Sequence, residues 1–325
     1  RKAVERGIPL FTSLDTANAL ANALTSRYSL GNVELVDINN MRTKHKKLTF
    51  TKMRGTGNDY LYFDCFDQTV ESPESLAVRL SNRRTGVGSD GIVLIMPSTI
   101  ADAKMRMFNA DGTEGSVAGN ALRCVCKYLY ENGHVRKDEM AVETGSGVKT
   151  AKLFIREDQV FSVLVDMGCP QFAPAKIPVK LDGDRVMMRP VFLAGEKREI
   201  SCVSMGNPHV VIFVEDVNRI PLEQVGPQIE TDSLFPERVN VSFAQIVDKN
   251  DIVMRVWERG IGETAACGTG ACAVAVAAVE NGFCTRGADI DVRLPGGTLV
   301  VRYQEDGKVW LTGDANTDFT GTIEI

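Results

Sequence analysis

From Leu48 onward, apolar and polar positions alternate in short runs broken by glycine, the pattern of strands joined by tight turns. LTFTKMRGTGNDYLYFDC reads as strand, glycine loop, strand. SPESLAVRLSNRR spaces its apolar residues for a helix, with Ser72 or Glu74 near the cap. TGVGSDGIVLIMPS is a glycine turn followed by a strand. MAVETGSGVKTAKLF and QVFSVLVDMG are hairpin material, with Gly145 and Gly147 at the turn. Further strands follow in VMMRPVFLAG, EISCVSMG and HVVIFVED, then a short helix near Leu222 to Ile229, RVNVSFAQIV and a closing meander from Ile290.

The stretch Met254 to Gly282 organises the chain. MRVW predicts a strand, and ERGIGETAACGTG a loop whose small residues let backbone approach a ligand. ACAVAVAAVENG, apolar throughout and closed by a glycine, predicts a buried helix. The same stretch occurs earlier, at Met105 to Gly133. Aligned without a gap, Arg106 falls on Arg255, Asn109 on Glu258, Gly119 on Gly268, Ala121 on Gly270 and Ala118 on Cys267, and both copies close with Glu-Asn-Gly. A weaker echo links Gly57-Asn58-Asp59-Tyr60 to Gly206-Asn207-Pro208-His209. Two echoes in the same order predict two homologous halves, each an antiparallel sheet around one central helix, an α+β fold. Gly168-Cys169-Pro170 marks the boundary. The expected division is a tail and linker over residues 1–47, one half over 48–168 completed by a last strand near 313–325, and the other over 169–312.

Composition narrows the classes. The 325 residues are 44% hydrophobic and 24% charged with net charge −5, which excludes neither core and gives nucleic acid or an acidic membrane nothing to bind. No apolar run is long enough for a membrane span, and the opening RKAVERGIPL lacks the apolar core of a signal peptide. Eight cysteines without a small-disulfide spacing fit a reducing cytoplasm. Three histidines without HExxH or CxxC argue against a metal. Cys124, Cys126, Cys272 and Cys284 read as packing residues. Cys267 differs: it stands where loop becomes helix, where unpaired N–H groups and the helix dipole favour a thiolate.

Residues 1–42 look foreign to the rest. RKAVERGIPLFTSLDTANALANAL, with Ser13 or Asp15 capping an Ala/Leu-rich helix, resembles the C-terminal end of the carbamoyl-phosphate synthase large subunit, and MRTKHKK (Met41 to Lys47) reads as linker.

From Leu48 to the end, GTGNDY, FNADGTE, GN-A-x-R-C, GNPH, RVN, ERGIGET and ACGTGA, in this order, resemble diaminopimelate epimerase. The resemblance implies two pseudo-symmetric halves with the site between them. It also implies interconversion of LL- and meso-2,6-diaminopimelate without cofactor or metal, and a small amino-acid substrate; a homodimer is left open. In that family two cysteines face the α-carbon from opposite sides. Carried over residue by residue, Cys267 is one catalytic cysteine, and His209 and Glu258 tune the thiols. Asn58, Asn109, Asn207, Asn240 and Arg259 bind substrate, and Gly119, Asn120, Gly268 and Thr269 hold its α-carboxylate. Physical chemistry asks for the same arrangement: a carbon acid beside a carboxylate needs a buried centre rich in donors, and inversion needs acid and base on opposite faces.

The chain departs from the pattern at three places. Ala118 stands at the other cysteine, Gly91 where many members carry a glutamine, and Arg54 and Arg84 where histidine is common. Ala118 has no proton to give, so impaired epimerisation is one expectation. A single-cysteine enzyme resembling hydroxyproline dehydratase and a non-catalytic amino-acid-binding relative are the alternatives.

Overall fold

The first strand, β1 (Lys47–Gly55), buries Leu48, Phe50 and Met53 and exposes Lys47, Thr49 and Arg54. It returns through Thr56-Gly57 as antiparallel β2 (Asn58–Asp64). Both turn residues have positive φ, 46° and 88°, the geometry that matches the twist of a two-residue hairpin. The computed structural model to which these strands belong describes residues 47–115 and 119–324, with Asn18 and Ala21. The expected tail, its linker and the Ser116, Val117 and Ala118 positions lie outside the described residues.

Helix α1 (Pro73–Ser81) starts with proline at its first turn and buries Leu76, Ala77 and Leu80. Ser72 precedes it in a left-handed conformation, and its side chain caps nothing, contrary to the capping expected there; Glu74 supplies the first-turn negative charge instead. The helix crosses over to β3 (Gly91–Met96), parallel to β2. β4 (Ala103–Asn109) and the short β5 (Glu114–Gly115) lead to helix α2 (Gly119–Glu131), which crosses over to β6 (Glu139–Thr144), parallel to β4. β7 (Gly147–Arg156) and β8 (Gln159–Asp166) complete an antiparallel meander.

The plan then repeats. β9 (Arg189–Leu193) pairs with β10 (Glu196–Ser204), which pairs with β11 (Pro208–Phe213). Helix α3 (Leu222–Glu230) connects β11 to parallel β12 (Asn240–Asp248). β13 (Asp251–Glu258) and β14 (Gly262–Thr264) lead to helix α4 (Gly268–Glu280), and β15 (Asp289–Leu294) lies parallel to β13. β16 (Gly297–Tyr303), β17 (Val309–Gly313) and β18 (Asn316–Glu324) finish the chain. β17 pairs with both β16 and β8, and β18 returns to pair with β1. The α+β architecture of two repeated halves is as expected. The sheet is mixed: its parallel pairs fall where a helix makes the crossover, as a parallel connection requires.

The repeat is kept residue by residue. Tyr60 sits beside Gly91 between β2 and β3, as His209 sits beside Asn240 between β11 and β12. Arg106 forks onto Glu114 at 2.7 and 2.9 Å, and the aligned Arg255 forks onto Glu263 at 2.8 and 3.0 Å. These bidentate pairs pin the hairpins that deliver the chain to α2 and α4.

The two central helices are buried differently. Gly270 through Ala278 of α4 are all buried, so strands close around it on every side. Only small side chains allow that approach, and an added methylene or two there would cost about 1–3 kcal/mol. Helix α2 is amphipathic, with Leu122, Val125 and Leu129 inward. It also buries Arg123 completely, at 0% exposure. The guanidinium donates from Nε to the Asp314 carbonyl (3.0 Å) and from Nη2 to the Thr56 hydroxyl (2.8 Å). Thr56 in turn donates its N–H and hydroxyl to Asp314 Oδ1, both at 2.8 Å. Arg123 thus ties the β1–β2 turn, α2 and the β17–β18 link together. A Cβ on Gly313 would lie 2.7 Å from its Cζ, so only glycine fits under the guanidinium.

Candidate active site

Cys267 is the N-cap residue of α4, in extended conformation (φ −138°) and 5% exposed. The first intrahelical bond runs from Ala271 N–H to the Cys267 carbonyl, so the N–H groups before it make no helical bond. A Cβ on Gly270 would sit 3.2 Å from the sulfur, and glycine there gives the thiol its room.

A polar chain leads outward from the thiol. The sulfur lies 3.6 Å from the Thr269 hydroxyl, which accepts from Asn207 Nδ2 at 3.2 Å. Asn207 Oδ1 accepts from His209 Nε2 at 3.0 Å. Glu258, at the end of β13, accepts from the Thr264 hydroxyl at 2.5 Å, and its charge is felt at the Cys267 thiol. Asn240 accepts the Arg259 backbone N–H (2.9 Å) and donates to the Pro208 carbonyl (2.9 Å). The Arg259 guanidinium meets the Glu237 carbonyl at 2.9 Å and pairs with no carboxylate among the described residues. Cys267, Thr269, Glu258, Asn207, His209, Asn240 and Arg259 therefore form one neighbourhood at the mouth of α4.

The residues expected from the other half gather at the N-terminus of α2. Asn120 Nδ2 donates to Asn58 Oδ1 at 2.6 Å, and Asn58 Nδ2 to Asp90 Oδ2 at 3.1 Å. Asn109 stands apart, donating to Thr113 at 3.0 Å. The two neighbourhoods meet. A Cβ on Gly268 would lie 3.6 Å from Asn120 Oδ1 and 3.2 Å from a Leu311 methyl, and one on Gly119 would lie 3.5 Å from the same methyl. Two helix N-termini thus close over Leu311 of β17, a ready site for a carboxylate. Gly91 is fixed by backbone: a Cβ there would lie 2.1 Å from the Phe108 carbonyl.

Burial sets the protonation states. It pushes the Cys267 thiol up, and the Glu258 charge pushes the same way; the Thr269 hydroxyl and Gly270 N–H oppose them without prevailing. Burial thus works against the thiolate that the helix terminus alone would favour. Burial also raises Glu258, against donors from Thr264 and Cys267. His209 is fully buried and held neutral, its value pushed down to about 3 by burial and then by the Arg259 charge. Its Nδ1 has no partner. Cys124, Cys126 and Cys272 are buried thiols pushed up to about 11, 12 and 12, as packing residues should be.

One consequence concerns acid stability. A group whose value is depressed on folding stabilises the folded chain above its ordinary value, near 6.5, and that contribution is lost as pH falls toward 3. Thermal midpoints measured from pH 7 to 4 should fall, and His209→Gln should flatten the fall. An unchanged slope in the variant would mean that His209 is not buried neutral.

Asp90 and Thr264 were not singled out in the sequence. Asp90 closes the TGVGSD turn, and its approach to Asn58 depends on the β2–β3 pairing.

The fold is shared with enzymes of varied chemistry. A phenazine biosynthesis protein of the PhzF family from Bacillus anthracis matches with TM-score 0.64 at 18% identity, covering 86% of this chain and 100% of that one. A hydroxyproline epimerase from Agrobacterium vitis, with bound trans-4-hydroxy-L-proline, matches with TM-score 0.57 at 16% identity, covering 88% and 94%. The class is therefore the two-halved fold that these proteins share. Within it, the diaminopimelate epimerase family model matches residues 50–173 and 201–317. Curated diaminopimelate epimerases of Acetivibrio thermocellus and Desulfovibrio desulfuricans are 48% and 50% identical, over 86% of this chain and 99% of each relative. The chain belongs to the diaminopimelate epimerase family, and so to the epimerase class of isomerases.

Proposed function

We propose that the chain binds 2,6-diaminopimelate and acts on its α-proton through Cys267, with inversion between LL and meso forms limited by Ala118. The observation that carries this reading is the Cys267 thiol at the N-cap of α4, 3.6 Å from the Thr269 hydroxyl, beside the two helix N-termini that close over Leu311. The curated relatives supply the substrate. The α-carboxylate sits at Gly119, Asn120, Gly268 and Thr269, where unpaired N–H groups face it. The unpaired Arg259, with Asn58, Asn109, Asn207 and Asn240, holds the rest of the molecule. An α-ammonium beside Cys267 and Glu258 brings the positive charge that the empty site lacks and lowers the cost of a thiolate there. Cys267 then removes the α-proton on its own face, while helix N–H groups stabilise the charge that develops on the carboxylate. Residues 1–42 fall outside the matched segments, and we read them as a fused tail resembling carbamoyl-phosphate synthase with no part in this chemistry. We read the assembly as acting in the cytoplasm without cofactor.

Iodoacetamide labelling with peptide mass spectrometry tests the reading. In the empty protein, labelling of Cys267 should be slow at pH 7 and climb with pH into the alkaline range, since the thiol is held up. Diaminopimelate should protect Cys267, and trans-4-hydroxyproline should not. Protection by hydroxyproline alone, or by neither, would overturn the assignment.

A further inference from the structure

Asp90, Asn58 and Asn120 form a chain of hydrogen bonds that can run in only one direction. Asp90 Oδ1 takes a bond from Arg83 at 2.8 Å, and its Oδ2 takes Asn58 Nδ2 at 3.1 Å and the Asp59 N–H at 3.2 Å. An ionised carboxylate only accepts, so Asn58 must turn its NH2 toward Asp90. Its Oδ1 then faces Asn120, 2.6 Å from Nδ2. Asn120 has now committed its NH2, and its own Oδ1 is directed by elimination. Asn120 is 4% exposed, and that Oδ1 has no partner among the described residues. The oxygen lies where the two helix N-termini meet, against Gly268 and next to the residue that carries the reactive thiol. A buried acceptor left bare is costly, and the helix ends beside it already supply what a carboxylate needs. What the oxygen lacks is a donor, and the group one bond from an α-carboxylate that can donate is an α-ammonium.

We propose that Asp90 is a positioning residue that acts through Asn58 to hold the Asn120 carbonyl oxygen toward the reacting centre, where it accepts a hydrogen bond from the substrate α-ammonium. The relay thereby selects a 2-amino acid over the same carbon chain without its amine. This rests on the diaminopimelate reading above. Burial raises both Tyr60 and Glu258, and the Asp90 charge adds to the shift in each. The Asn58–Asn120 bond has an aligned counterpart in Asn207–Thr269, but Val239 stands where Asp90 would fall, so the carboxylate that sets the direction of the relay belongs to one side of the cleft.

The substitution Asp90→Asn keeps the shape but can donate, which frees both amides to turn over and present NH2 to the cleft. Calorimetric titration of the full chain with meso-diaminopimelate should show affinity lowered about tenfold or more in this variant. Pimelate, which has both carboxylates and no amine, should bind it no more weakly than it binds the parent. Arg83→Met removes the ion pairs to Asp59 and Asp90 without touching the amides, and its affinity for diaminopimelate should stay within about twofold. Asn120→Ala, which deletes the acceptor itself, should show the same selective loss as Asp90→Asn and serves if the latter does not fold. Parallel weakening of both ligands, equal loss in Arg83→Met, or no loss in Asp90→Asn overturns the relay. Failure of the parent chain to bind diaminopimelate at all would instead overturn the functional reading.

Discussion

Ala118→Cys is expected to raise the rate of inversion between LL- and meso-diaminopimelate by about 100- to 10,000-fold, the usual worth of one member of an acid–base pair. In the proposed mechanism Cys267 serves only one face of the α-carbon. It can remove the proton of the stereoisomer presented to it and return one from solvent to the same face. Alanine has no proton to deliver from the other side. The chain as given should therefore exchange the α-proton for deuterium with retention, and Cys267→Ala should abolish even that. Following deuterium content and isomer ratio together separates the two events. If Ala118→Cys folds and binds substrate yet still fails to invert, the two-base reading is wrong. Full inversion by the Ala118 chain would be as damaging, because it would require an acid elsewhere.

Arg123→Ala is expected to cost about 3–5 kcal/mol of stability, the range found when one partner of a buried charged network is removed. The side chain is wholly buried, and its loss would leave a cavity under Gly313. The Asp314 carbonyl and the Thr56 hydroxyl would each lose a charged donor. At about 2–4 °C per kcal/mol for a unit of this size, the thermal midpoint should drop by roughly 10 °C. Calorimetric unfolding measures it, and a loss below about 1 kcal/mol would mean that water or neighbouring groups replace the guanidinium.

The fold was legible because the repeat was. Two copies closing with Glu-Asn-Gly announced two halves, and glycine spacing located the turns. Cys267 could be placed at a helix terminus because a run of glycines and alanines allows little else. Its protonation state could not be read, since the burial that pushes the thiol up comes from strands distant in sequence that close around α4. Ser72 stands at the N-cap as expected, but in a left-handed conformation and without a capping hydrogen bond from its side chain. The parallel pairs were missed for a related reason: strand direction follows from the crossover, not from alternation. Asp90 escaped notice because a single aspartate in a glycine turn has many uses, and only the pairing of Tyr60 with Gly91 sets it beside Asn58.

The return of β18 to β1 has a consequence during synthesis. β1 opens at Lys47 and the strand that covers its edge begins only at Asn316, so nearly the whole chain must leave the ribosome before that edge is sealed. Until then β1, which carries Phe50, has one edge paired with β2 and the other open, a template for pairing with the wrong partner. Pairings this distant in sequence are slow to form. Folding of this unit is thus expected to wait for β18, with its vulnerable period set by the time needed to make the residues between β1 and β18.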